Sequence, residues 1–171
     1  MADFKFIDLN NSVRNKMQKE INLDNSNNCL YLSKRFTKEG ETKYLKLLLE
    51  AAIAGTEKTL TNSIEPFIEL QEIINGKIKK TPLNAASLFC QGEFNRFYIR
   101  AICLESIELN NEFVEVYRAR ESSRSRPESE KMIGTKINAR ELLNDLRKNI
   151  GINPKLLPEV NSGLSVKIID K

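Results

Sequence analysis

Apolar positions along this chain switch between helical and strand spacing, and their phase predicts most of its elements. Over residues 37–54, Tyr44, Leu45, Leu48, Leu49, Ala52 and Ile53 fall on one side of a helix that Gly55 stops. Ser63 is placed to cap a second helix with Pro66 in its first turn, which buries Ile64, Phe67, Ile68 and Ile74 and ends at Asn75-Gly76. A shorter helix follows Ser12, with Val13, Met17 and Ile21 on one face. The longest amphipathic segment is 93–109, set off by Gly92. Phe94, Phe97, Tyr98, Ala101, Ile102 and Leu104 share its apolar face, while Arg96 and Arg100, one turn apart, stand on the exposed side. Asn138 with Glu141 makes an Asn version of a capping box, opening a helix over 139–150.

Strand spacing is confined to short runs. Residues 4–9 alternate as a strand or an extended arm, and 29–32 read as a short strand after the Asn-rich loop 24–28. Residues 113–118 have the β-branched and aromatic content of a strand. Leu164, Val166 and Ile168 alternate with Ser165 and Lys167 in a half-buried final strand. Residues 77–80 form a basic connector, Thr81-Pro82 opens a further helix, and 120–134 form a long loop. The pattern predicts a helix-dominated α+β domain with a small sheet of short strands. Residues 1–36 are its N-terminal arm, short helix and loop, and 37–171 its main body.

Composition changes this picture little. A chain of 171 residues suits one domain and can bury about two-thirds of its unfolded surface. Its 40% hydrophobic and 29% charged residues exclude a disordered chain. Net charge is +4, from 27 basic and 23 acidic residues, so an anionic partner is permitted without being demanded. Cys29, Cys90 and Cys103 are odd in number and far apart, which reads as reduced thiols in an intracellular setting. Neither a basic-then-apolar leader nor a run of ~20 apolar residues is visible, so the expectation is cytoplasmic synthesis without secretion by a signal peptide or membrane insertion.

The chemistry that the residues leave out is specific. Without histidine, the usual general base and the common catalytic triads are missing. The seven glycines form neither GxxxxGK[ST] nor GxGxxG, which argues against phosphate-loop hydrolysis and dinucleotide binding. A metal-dependent nuclease needs only carboxylates and a lysine; Glu112, Glu115 and Glu121 flank the 113–118 strand and Lys131 lies further on, though at no familiar spacing. No cofactor and no resident metal are expected.

Residues 117–127 hold Arg118, Arg120, Arg124 and Arg126 against the single acid Glu121. Arginine's planar fork suits phosphate or carboxylate, so the loop could grip a nucleic-acid backbone or reach carboxylates of a neighbouring subunit. The aromatic run at 89–100 interleaves arginines in the manner of a base-stacking platform, but at helical spacing its aromatics align as core.

Gly92-Glu93-Phe94-Asn95-Arg96-Phe97-Tyr98-Ile99-Arg100, Glu115-Val116-Tyr117-Arg118-Ala119-Arg120 and Asn161-Ser162-Gly163-Leu164-Ser165 resemble stretches of small uncharacterised tailed-phage proteins. The resemblance covers the second half of the chain at most. It implies a virion component, such as a ring or adaptor protein near the portal or neck, and assigns no site residues. The leading expectation is therefore a non-enzymatic structural subunit that meets further copies of itself and neighbouring virion proteins. Its arginine loop and both termini would make those contacts. A nucleic-acid-binding protein using Arg96, Arg100, Arg118, Arg120, Arg124 and Arg126 is the rival, and the histidine-free nuclease is the third reading.

Overall fold

The computed structural model describes residues 3–121, 127–151, 153–159 and 162–169. The helices are α1 (Asn11–Ser26), α2 (Lys38–Ala54), α3 (Glu57–Ile64), α4 (Ala85–Glu108), α5 (Pro127–Met132) and α6 (Ala139–Lys148). The strands are β1 (Gln71–Ile74), β2 (Lys77–Lys80), β3 (Phe113–Arg118), β4 (Lys136–Asn138) and β5 (Leu164–Ile168). The fold is α+β. One sheet is the β1–β2 hairpin, and the other has the antiparallel order β4-β3-β5.

The centre of the molecule is α4. Helices α1, α3 and α6 and strands β3 and β5 all lie against it, and every residue from Cys90 to Cys103 is buried. A helix enclosed on all sides needs no polar face, so its residues do not sort cleanly by period. Enclosure also explains why Gly92 does not break the helix as expected. The roughly 1 kcal/mol that a mid-helix glycine costs is small beside the packing around it.

Local capping chemistry places several elements where the pattern predicts them. Thr37 caps α2 through its side chain and Gly55 ends it, while the Asn138 side chain accepts the N–H groups of Arg140 and Glu141 at the start of α6. Strands β3 and β5 form as expected. The region around Pro66 does not. Helix α3 begins at a Thr56 cap and is already over by Ile64, and Pro66 sits in a 3-10 turn over Glu65–Phe67. Asn75 and Gly76, both at positive φ (52° and 73°), then make the tight turn of a hairpin, so the expected helix end and basic connector are two strands.

Further corrections concern the first residues and the loops. Helix α1 is capped by Asn10 and runs on to Ser26. Neither the 4–9 nor the 29–32 segment joins a sheet. The N-terminal arm does not reach outward, because Phe4 is buried and Phe6 packs on Phe94 and Tyr98. Lys5 N–H donates to the Ala119 carbonyl at 2.7 Å, and the Asp8 carboxylate accepts the Ile168 N–H at 2.9 Å. The chain after Pro82 turns before α4 begins at Ala85, and α5 lies within the expected 120–134 loop. Among the described residues, no helix is long and apolar enough to cross a membrane.

The end of β3 meets the start of β5 at Gly163. Its carbonyl accepts the N–H groups of Ala119 and Arg120, at 2.9 and 3.0 Å, and its φ is +88°. A Cβ there would lie 2.6 Å from the Arg120 carbonyl oxygen, whereas one on Gly134, at φ +81°, would meet nothing within 4 Å. Both alanine variants carry the left-handed backbone penalty, and only Gly163→Ala adds a clash. Urea unfolding is expected to show a loss of about 1 kcal/mol for Gly134→Ala and about 3 kcal/mol for Gly163→Ala.

Candidate functional site

The six arginines singled out by sequence fall into three groups. Arg96 and Arg100 are not on an exposed face, which corrects the expectation for both. Arg100 has no exposed surface, and its guanidinium contacts the Glu20 carboxylate at 2.6 Å and both oxygens of Asp24 at 2.6 and 2.8 Å. Arg147 of α6 closes on the same Glu20 from the other side, its Nε at 3.0 Å. Arg96 is 2% exposed, and it donates to Glu93 at 3.3 Å and to the Asn149 carbonyl at the end of α6 at 2.8 Å. Neither guanidinium presents itself at the surface to a phosphate. The physical reason is α4's central position, which buries the side that an amphipathic helix would leave in water.

Arg118 and Arg120 sit where the three-stranded sheet meets the N-terminal arm. Arg118 pairs with Glu130 of α5 at 2.7 Å. Arg120 is buried, donates to the Gln91 side chain at 2.7 Å and lies over the Phe4 ring. Both serve contacts inside the chain. Arg124 and Arg126 lie outside the described residues. Of the carboxylates considered for a nuclease, Glu115 pairs with Lys167 at 2.9 Å and Glu112 accepts from Asn138, while Glu121 is exposed. Among the described residues, no three carboxylates or thiols gather in a metal-holding arrangement. Cys90 and Cys103 are buried, and burial pushes the Cys90 thiol up to about 12 and raises that of Cys103 as well.

The feature that sequence reasoning missed is the β1–β2 hairpin. Its two strands project with almost no burial, and Ile73 and Ile78 stand directly opposite each other at 75% and 70% exposure. Leu70 and Leu83 at its root are 81% and 90% exposed. The root itself is held. Phe36 bridges to Ile68, Glu69 N–H donates to the Arg35 carbonyl at 2.8 Å, and Arg35 grips Glu72 with two bonds of 2.8 and 3.0 Å. Lys77, Lys79 and Lys80 lie along β2. The signal was present in the sequence as Asn75-Gly76 between Ile73-Ile74 and Ile78. It was masked because the same dipeptide also ends helices. Comparisons of the chain with family models, with curated proteins and with solved structures return no match.

The buried acids give this body a defined pH response. Burial alone would raise the Glu20 carboxyl, but the Arg147 hydrogen bond and the Arg100 charge outweigh it and hold the group low. A carboxyl held low in the folded state adds stability above its unfolded value of about 4.3, and that stability is lost as pH falls through the folded value. Glu93 has the opposite sign. Its burial outweighs the charge of Arg96 and raises the carboxyl, so its contribution is full below about pH 4.3 and is lost as pH rises through the raised value. Urea unfolding from pH 3 to 7 is expected to show Glu20→Gln losing most stability near pH 7. Glu93→Gln should gain stability there, with both effects shrinking at the acid end. Arg100→Met, which leaves Asp24 buried without its cation, is expected to lose about 3–5 kcal/mol at pH 7.

Proposed function

We propose that the protein is a non-enzymatic structural subunit of a larger assembly, joined to its neighbours through the β1–β2 hairpin. The exposure of Leu70, Ile73, Ile78 and Leu83 on one projecting element carries this reading. A lone two-stranded hairpin is marginal in water, and each branched aliphatic side chain gains about 1.5–3 kcal/mol when it leaves water. Four of them on a rigidly rooted hairpin favour a covering partner over a permanently solvated surface. The nucleic-acid reading draws less support, because Arg96, Arg100, Arg118 and Arg120 are engaged inside the chain. Assembly into a tailed-phage virion, as a ring or adaptor protein, is the specific form favoured by the resemblance of the second half.

Size-exclusion chromatography of an extract of the producing cells, with the chain detected by mass spectrometry, tests this. The chain is expected to elute far above the 19.6 kDa of a free monomer. Ile73→Lys with Ile78→Lys, both at exposed positions, is expected to move it to the free fraction with an unchanged circular dichroism spectrum. Elution of the wild type as a free chain would sink the reading. Retention of the double variant in the large species would remove the hairpin from it.

A further inference from the structure

We infer that the outer edge of β2 accepts an extended, acidic strand of a partner protein, one of whose apolar side chains seats between Leu70 and Leu83. This inference rests on the assembly reading and names the chemistry of the neighbour.

The backbone parity of the hairpin leads to the edge. Thr81 N–H donates to the Leu70 carbonyl at 2.9 Å, so this is a hydrogen-bonded pair of the antiparallel ladder. Bonded and non-bonded pairs alternate, which makes Glu72–Lys79 and Ile74–Lys77 bonded pairs and turns the backbone of Ile78 and Lys80 outward. The sheet ends at β2, and among the described residues no backbone bond reaches that edge. Two N–H and two C=O groups at strand spacing are therefore open to an added strand.

A second observation lies at the root of the same strand. A groove of ≈ 120 Å³ is lined by Leu70, Thr81, Pro82 and Leu83, among others. Thr81 is 6% exposed and its hydroxyl has no hydrogen-bond partner. A buried hydroxyl left unpaired is destabilising, and a rotation of the Thr81 side chain toward the groove would let a backbone group of an incoming strand satisfy it. The apolar walls would take a branched aliphatic side chain of that strand.

Charge selects the occupant. Lys77, Lys79 and Lys80 run along β2, and the one acid of the facing strand, Glu72, is already taken by Arg35. A second copy paired β2 against β2 would set lysines against lysines, which is destabilising across strands and is a common guard against self-pairing. An acidic strand turns that guard into selectivity. Glu65 and Glu69 also line the groove, so the apolar end of the strand belongs there and its acids over Lys77 and Lys79.

The test is a titration of the isotopically labelled full chain, followed by amide NMR. One peptide alternates glutamate with valine and ends in leucine, and a second carries lysine in place of glutamate. Vesicles of anionic phospholipid form a third arm. The acidic peptide is expected to shift the Ile78 and Lys80 amides and slow their exchange, with affinity falling about tenfold on going from low to high salt. Ile78→Pro removes an outward N–H and leaves the inner ladder intact, so it should abolish binding without changing the helical spectrum. Thr81→Val should weaken binding about tenfold. The inference is overturned if the basic peptide binds as well, if the shifts lie elsewhere, or if only vesicles or self-association perturb the β2 edge. A hairpin-dependent assembly with no binding of acidic peptide would leave the assembly reading standing and remove its acidic occupant. Peptide binding by a chain that is free in extracts would do the reverse.

Discussion

Arg100 is fully buried on the most enclosed helix of the molecule, and its charge is matched there by Glu20 and Asp24 of α1, with Arg147 of α6 closing the set. A guanidinium without exposed surface is tolerated only where such partners stand at hydrogen-bond distance. The requirement fixes the rotation of α1 about its own axis, because Glu20 and Asp24 must both face α4. It also sets the height of α6, because Arg147 must reach Glu20. The buried stripe of Val13, Met17 and Ile21 then falls against α4 as a consequence of the same rotation. Hydrophobic burial supplies most of the stabilisation of this core, and the ion set supplies its register.

The smaller polar ties follow the same plan. Asn95 donates to the Leu164 carbonyl and accepts from the Ser165 hydroxyl, which docks β5 on α4. The Asp145 carboxylate accepts the N–H groups of Lys155 and Leu156 and so holds the chain that follows α6. The Tyr98 hydroxyl accepts the Asp8 N–H and the Tyr117 hydroxyl donates to the Lys5 carbonyl, which ties the N-terminal arm over the aromatic end of the helix. The body thus spends its polar groups inward. The hairpin does the opposite, keeping its aliphatic and lysine side chains in solvent on a root anchored by Arg35 and Glu72. That contrast between an inward-bonded body and a solvated projection underlies the proposal that the hairpin meets a partner.

Much of the architecture was legible wherever a local rule decides the structure. Thr37 and Gly55 bound α2 because a side-chain oxygen and a chain-terminating glycine act on their nearest neighbours. Asn138 starts α6 for the same reason. Strands β3 and β5 form where β-branched content and apolar alternation place them, although Ser165 of β5 is buried along with its apolar neighbours. The candidate site was less legible. Asn75-Gly76 marks a stop in either a helix or a hairpin, and only the pairing of Ile73 with Ile78 separates the two.

By itself, then, the sequence determined an α+β domain dominated by helices, the ends of its capped elements, and a chain without histidine or a GxxxxGK[ST] motif. These follow from composition and from interactions between residues a few positions apart. The tertiary structure alone decided that Arg96 and Arg100 point inward, that Gly92 sits unbroken in the middle of α4, and that an aliphatic hairpin projects into solvent. Each of these depends on what lies against a residue from a distant part of the chain. A period of 3.6 says which side chains share a face, but the neighbours decide whether that face, or the one opposite, meets water.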